Sequence, residues 1–310
     1  LRRFCHSYVG FAGAFCFQGL IGEQMPSEQK RKVLVIGAGL AGQMAAVVAA
    51  NAGASVTITS VLEPMREYSC EFLNSFNVSS GQNKQFSESF FSKALEASCG
   101  LADPGMLQSM CEASRGMAVW LEDIGVRFDR DSNGLVKECA PAGCGFSTIC
   151  SGEFTSRRIS LALFGELLKL SSRGSVLMMN GWELLSPVID DAGRCCGAVF
   201  INRKSMEMRA IESDATIMSF GGYASIYSSS LRSSFLDGSA LISPMRCGAR
   251  VVNPEFVSFV EGPQDDQNPD APPAAYFSLG GLEVDHLHRC SISGMYATGE
   301  AACAYHGASL

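Results

Sequence analysis

Residues 33–59, VLVIGAGLAGQMAAVVAANAGASVTIT, read as an apolar strand, a glycine turn, an Ala-rich helix and a second strand. Together they form one βαβ unit. Gly37-Ala38-Gly39-Leu40-Ala41-Gly42 directly follows the strand and opens the helix, which is the context that a dinucleotide-binding fingerprint requires. In that fingerprint the first glycine makes the turn, the second lets backbone approach a pyrophosphate, and the third lets helix and strand pack closely. Exposed amides and the helix dipole then hold the anion. A glycine triad alone is a weak signal, and a simple tight turn is the bland alternative; the two flanking strands make the signal strong. An acid about 20 residues on marks a ribose contact. Here the second strand ends on Ser60, with Glu63 beyond it, a pattern that disfavours NAD and leaves a flavin site open.

Working outward, 310 residues with 47% apolar and 18% charged positions supply enough material for one large core or two smaller lobes. The net charge of -7, without a Lys/Arg-rich stripe, argues against nucleic acid or an anionic membrane as main partner. A small molecule or another protein is the expected partner. Thirteen cysteines are scattered and none form C-x-x-C, and a chain this long does not depend on staples. They are expected to be mostly reduced and buried, hence intracellular, and Cys195-Cys196 after the turn Asp190-Asp191-Ala192-Gly193 is read as packing rather than redox chemistry. Residues 1–22 carry Arg2 and Arg3, an apolar middle and no acid before Glu23. They read as a targeting segment, of organelle or secretory type, with a disordered tail as the alternative; a mitochondrial location follows if it is a transit peptide. No other stretch has the ~18 consecutive apolar residues of a membrane span.

Helical periodicity runs over 84–125, broken at Ser98 to Pro104, and again over 157–171 with Phe154-Thr155-Ser156 as a candidate cap. From 175 the chain changes to short strands separated by turns, which predicts a small antiparallel sheet over about 175–213 before Ala215 to Phe220 rejoins the main sheet. A helix follows Leu236-Asp237-Gly238, then the strand-like RVVNPEFVSFV, the polar stretch GPQDDQNPDAPPA, and finally a strand, a glycine turn and a helix start in GMYATGEAACAYHGASL.

From Lys32 to the last residue the chain resembles the flavoprotein subunits of succinate dehydrogenase and fumarate reductase, with the soluble fumarate reductases and L-aspartate oxidase. Ser60 and Pro64-Met65-Arg66 are similar to the family's Ser-Lys turn followed by P-M-R. SFGGYASIY resembles A-T-G-G-x-G-x-x-Y, LDGSALISPMRCGARVVNPEFVSF resembles T-G-D-G-x-A-M-A-x-R-A-G-A with E-F-V-Q-F, and YFSLGGLEVD resembles H-Y-x-M-G-G-I-x-V-D. SISGMYATGEAACAYHGASL is similar to the G-L-Y-A-A-G-E segment followed by H-G-A-N-R. The resemblance implies an α/β fold, a Rossmann-like FAD-binding domain of parallel sheet and helices with a small antiparallel sheet, and an FAD-dependent oxidoreductase. It places cofactor contacts at Gly37, Ala38, Gly39, Ala41, Gly42, Ser60, Ser69, Ser75, Gly221, Gly222, Asp237, Gly299 and Glu300. An acid such as Glu300 can accept a hydrogen bond from a ribitol or ribose hydroxyl.

The positions that carry the family's chemistry depart from its pattern. Tyr68 stands where covalent members have the linking histidine, so non-covalent FAD is expected, and Asn74-Ser75 replace a glycine pair. The family binds a dicarboxylate with His and Arg side chains and delivers the proton from an Arg on a capping domain. Here Arg157 matches the T-G-H histidine and keeps a cation; Val260-Glu261 replace H-P, and Tyr276 replaces the histidine of H-Y-x-M-G-G. Glu261 would repel a dianion. His306 matches the H-G-A histidine and is either an acid/base near the flavin or part of a helix start, so Arg157 and His306 are the catalytic candidates.

The domain reading is a leader or tail over 1–30, the first part of the FAD domain over 31–260, a linker over 261–275 in place of the capping domain, and the second part over 276–310, which stops inside the flavin-binding helix. A degenerate homologue serving as a structural or assembly subunit, or a fragment of a larger flavoenzyme, are the alternatives, and other subunits of a redox complex are possible partners. His286, His288 and Cys290 alternate and on a strand would share one face, as zinc ligands do; without a fourth ligand no metal is assigned.

Overall fold

The computed structural model describes residues 30–66, 76–78, 84–139, 147–260 and 272–303. Strand β1 (Lys32–Ile36) leads into helix α1 (Leu40–Asn51) and strand β2 (Ser55–Ser60), so the βαβ unit forms as its sequence predicts. Beyond it come β3 (Phe76–Val78), α2 (Lys84–Ala97), α3 (Pro104–Asp123), β4 (Glu138–Cys139), β5 (Ser147–Ile149) and α4 (Thr155–Ser172). Strands β6 (Val176–Asn180), β7 (Trp182–Ile189), β8 (Cys195–Asn202), β9 (Met208–Glu212) and β10 (Ala215–Met218) follow. Then come α5 (Ser239–Arg246), β11 (Val251–Val252), β12 (Val257–Val260), β13 (Ala274–Ser278), β14 (Gly281–Glu283), β15 (Met295–Ala297) and β16 (Ala302–Cys303). Tyr68, Ser69, Ser75, Glu261, His306, residues 1–29 and most of the polar stretch after β12 lie outside the described residues.

Five strands form one parallel sheet in the order β15-β10-β1-β2-β6. A parallel strand is covered on both faces and reads as a continuous apolar run, and β1 shows why. Its alternate side chains point to opposite faces: Val33 and Val35 join a core with α1 and α4, while Leu34 and Ile36 join a second core with Trp182, Phe200 and Met218. On the helical side α4 contributes Ile159, Leu163, Leu167 and Leu170, an i, i+4, i+8, i+11 series on one helix face. On the other side the antiparallel sheet β7-β8-β9 seals the strands, with Phe200 fully buried. No described helix is long and apolar enough to cross a membrane.

Several expectations are corrected at this level. Residues 176–180 do not open the antiparallel sheet; they pair in parallel with β2, and the antiparallel layer starts at Trp182. Phe154 is the N-cap of α4 but supplies no side-chain bond, and the Thr155 hydroxyl instead accepts the Ser151 N–H at 2.9 Å. Helix α3 does have a side-chain cap, the Asp103 carboxylate accepting the Met106 N–H at 2.8 Å. Cys195 is buried with its thiol against Thr216, and burial pushes that thiol up, in keeping with packing; Cys99 and Cys139 are exposed. Strands β12 and β13 pair antiparallel from Val257↔Ser278 to Val260↔Ala274, which brings together the two ends of the polar stretch.

His286, His288 and Cys290 do not share a strand face. Asp285 accepts the Leu287 and Arg289 N–H groups and closes a tight turn, leaving His286 exposed and His288 fully buried. The His288 ring Nδ1 lies 2.9 Å from the Ala297 carbonyl, and a carbonyl only accepts, so Nδ1 carries the proton. In return the Ala297 N–H donates to the His288 carbonyl at 3.1 Å. This reciprocal clamp holds the end of β15 where it hands over to Gly299 and Glu300. Burial, which outweighs the bond to Ala297 and the Asp285 charge, holds the imidazole below its usual range.

The unfolded chain therefore takes up a proton near pH ~6.5 that the native state refuses. Stability from this group is complete above that pH and declines as the pH falls. Thermal melts should show a falling Tm between pH 7.5 and 5.5, and His288→Asn, which keeps a donor for Ala297, should flatten that slope.

Candidate cofactor site

The chain runs β1, β2, β6 toward one edge of the sheet and then returns to place β10 and β15 on the other side of β1. Strand order therefore reverses between β1 and β10, and in open α/β sheets ligands bind outside the carboxyl ends of the strands at that point. A cleft of about 990 Å³, its solvent mouth included, opens there, walled by Ile36 and Gly37 from β1, Ser60 from β2, and Ser219 to Gly221 after β10.

The glycine turn is locked from both neighbours. The Gly37 N–H donates to the Thr59 carbonyl at 2.8 Å, and the Ser219 hydroxyl lies 2.9 Å from the Ile36 carbonyl and 3.0 Å from that of Gly37. Gly37 has φ +107°, and a Cβ there would stand 2.2 Å from the Ser219 carbonyl oxygen. A Cβ on Gly42 would stand 1.8 Å from the Gly37 carbonyl oxygen, so α1 closes on β1 more tightly than any side chain permits. Gly39 caps α1 with no side-chain bond and itself lines the cleft, which brings the N-terminus of that helix to the cleft wall. Backbone amides and a helix dipole are the donor set that a pyrophosphate requires.

Charged side chains in the cleft are already engaged. Arg203 pairs with Glu183 at 3.1 Å and lies over the Phe235 ring, and the Asp237 carboxylate accepts the Ser239 N–H at 2.9 Å. Arg232 pairs with Glu300 at 2.6 Å. A dianionic group entering this cleft thus meets backbone donors rather than unpaired cations, which suits the phosphates of a dinucleotide and fits FAD.

Of the sequence-predicted contacts, Gly37, Gly39, Ser60, Gly221 and Asp237 line the cleft directly. The Ser60 hydroxyl turns back onto the Leu62 carbonyl and lies 3.3 Å from Asn180 Oδ1. Ala38 and Gly42 are packed behind the turn, and Ala41 meets Gly299 there, where a Cβ on Gly299 would stand 2.8 Å from that of Ala41. Gly222 and Glu300 lie together behind the cleft wall: a Cβ on Gly222 would fall 1.8 Å from Ser278 Oγ and 2.2 Å from Glu300 Oε1. Arg157 is exposed on the first turn of α4 and is not among the cleft-lining residues. Val260 and Tyr276 sit in the β12–β13 pair.

A family model described as FAD binding domain matches residues 32–264. The chain belongs to this FAD-binding flavoprotein family. Within it, the chain is 30% identical over 228 residues to the succinate dehydrogenase flavoprotein subunit of Bacillus subtilis (strain 168), a match covering 73% of this chain and 39% of that protein. It is 25% identical over 179 residues to L-aspartate oxidase of Neisseria meningitidis, covering 56% of this chain and 34% of that enzyme. A solved quinol fumarate reductase chain from E. coli superimposes with a TM-score of 0.80 at 16% identity, covering 91% of this chain and 66% of that one, and shows the shared fold. This flavoprotein thus spans well under half the length of the curated relatives it matches.

Three residues of the flavoprotein's site carry no motif signal. Ser278 falls at the variable position of its motif, and Asn180 ends a strand of ordinary composition. Arg232 lies between two motifs, and only the pairing of Ser229 and Leu231 with Ala275 brings it to the cleft.

Substitution at Gly222 tests the packing behind the wall. Gly222→Ala should displace Ser278 and Glu300 and weaken FAD retention by about tenfold or more, read by titrating the apoprotein with FAD and following flavin fluorescence, while far-UV circular dichroism stays unchanged.

Proposed function

We propose that this flavoprotein is an FAD-dependent oxidoreductase that holds its cofactor non-covalently. The observation that carries this is the glycine turn at the switch point of the sheet, with Gly39 at the helix N-terminus lining the cleft that opens there. The amides at the start of α1 bind and orient the pyrophosphate. Asp237 and Glu300 would accept hydrogen bonds from cofactor hydroxyls, and Gly222, lacking a Cβ, leaves room for Ser278 and Glu300 behind the wall. When bound, FAD supplies a ring that takes up and releases hydride.

The Tyr223 hydroxyl donates to the Pro254 carbonyl at 3.0 Å, and burial pushes its ionisation up, so it acts as a fixed neutral donor bracing the cleft wall. Its neighbour Gly280 would clash with Asn253 if it carried a Cβ, which fixes the same wall from the other side.

Val260 and Tyr276 stand where the resemblance calls for dicarboxylate-binding histidines, and Arg157 faces solvent on α4. A dianion in a dry site needs compensating cations. These residues support a substrate other than succinate or fumarate, with the stretch between β12 and β13 bridging two parts of one FAD domain and other subunits of a redox complex as candidate partners.

An absorption spectrum of the purified chain tests the proposal. Stoichiometric flavin, bleached by a reductant and released into the supernatant by acid precipitation, is the expected result. Flavin that stays with the precipitate would refute the non-covalent attachment, and no flavin after incubation with FAD would leave the structural-subunit alternative. Reduced protein should be reoxidised by fumarate no faster than by buffer alone, followed at the flavin band.

A further inference from the structure

Glu300 is held from two sides. Its Oε1 accepts the Ser278 N–H at 3.0 Å and the Ser278 hydroxyl at 2.8 Å, and its Oε2 accepts from the Arg232 guanidinium at 2.6 Å. Ser278 Oγ in turn accepts the Tyr223 N–H at 3.1 Å, so its proton must point at Glu300. The side chains of Arg232 and Glu300 are 6% and 7% exposed. A carboxylate buried to this degree without a cation is costly, and removing one member of such a pair strands the other.

Arg232 is placed by backbone rather than by its own helix or strand. The Ala275 N–H donates to the Ser229 carbonyl at 2.8 Å, and the Leu231 N–H to the Ala275 carbonyl at 3.0 Å, which ties the segment to β13. The guanidinium then rests 4.8 Å from the centre of the Phe277 ring and 5.9 Å from that of Tyr276, within cation–π range. It also lines the cleft, whereas Glu300 stands behind it.

We propose that Arg232 is a positioning residue for cofactor binding: it neutralises Glu300 and, with Ser278, aims that carboxylate at Gly222, the residue directly behind the cleft-lining Gly221. Three donors on a group with roughly four lone-pair sites leave Oε2 capacity for one further hydroxyl. The pair as a whole is neutral, so Glu300 can accept from a cofactor hydroxyl without adding net negative charge next to a cleft that would hold phosphates. Arg232 touches Glu300 for this purpose and is distinct from the glycine turn that holds the pyrophosphate. The inference rests on FAD being the cofactor of this cleft.

FAD affinity of the full chain, measured by fluorescence titration of the apoprotein, tests the proposal through a double-mutant cycle. Arg232→Met and Glu300→Gln should each weaken FAD binding by about 30-fold or more, and the double variant should be far tighter than the product of the two losses. Arg232→Lys, which keeps a cation, should recover part of the loss. Combined with Ser60→Ala at the β2 end of the cleft, Arg232→Met should give simply the product of the separate losses.

Melting curves taken without FAD separate folding from binding, and should Arg232→Met fail to fold, the Lys and Gln variants complete the comparison. Binding within twofold of wild type in Arg232→Met, or equal coupling to Ser60 and Glu300, would overturn the role of Arg232 while wild-type binding still supports FAD. Failure of the wild-type chain to bind FAD would overturn both.

Discussion

The approach of α1 to β1 governs the molecule. Where Gly42 has only hydrogen, the Gly37 carbonyl oxygen occupies the space, and an added Cβ would stand 1.8 Å from it. That contact lets the helix start flush against the strand, sets its N-cap Gly39 on the cleft wall and leaves the Ala-rich body of the helix to be buried almost throughout. Ser219 completes the lock from β10 by hydrogen bonding the same turn, so the phosphate-type donor set and the switch point of the sheet are one construction.

Burial of β1 on both faces extends this order outward. Val33 and Val35 draw in α1 and α4, and Leu34 and Ile36 draw in the antiparallel layer. The antiparallel layer is more than cover, because Trp182 to Leu184 and Arg203 reach the cleft from it. From the other edge of the sheet, β15 is pinned by the His288–Ala297 clamp, and it hands over to Gly299, which packs on Ala41, and then to Glu300. Segments far apart in sequence thereby meet around one turn.

Charge follows the same economy. Each described cation in the cleft has a carboxylate partner, Arg203 with Glu183 and Arg232 with Glu300, and binding of an anion is left to backbone. Exposed ion pairs of the Arg250–Glu283 kind contribute little to stability. The buried Arg232–Glu300 pair is of a different sort, since its members cannot return to water without opening the wall.

The sequence by itself determined the βαβ unit, the fingerprint and the family, because a continuous apolar run, a glycine spacing and an Ala-rich helix are local signals read within one stretch of chain. It also located α2, α3 and both hairpin turns, each marked by an Asx residue bonding to the backbone just ahead. The start of the antiparallel layer is not legible in the sequence, since SVLMMN suits either kind of strand and only its pairing with β2 makes it parallel. Likewise nothing in the alternation of His286, His288 and Cys290 reveals a tight turn closed by Asp285. What tertiary structure alone decided was the polar network at the wall. Arg232, Ser278 and Glu300 are remote in sequence, and a buried charge finds its partner through the packing of strands, not through spacing along the chain.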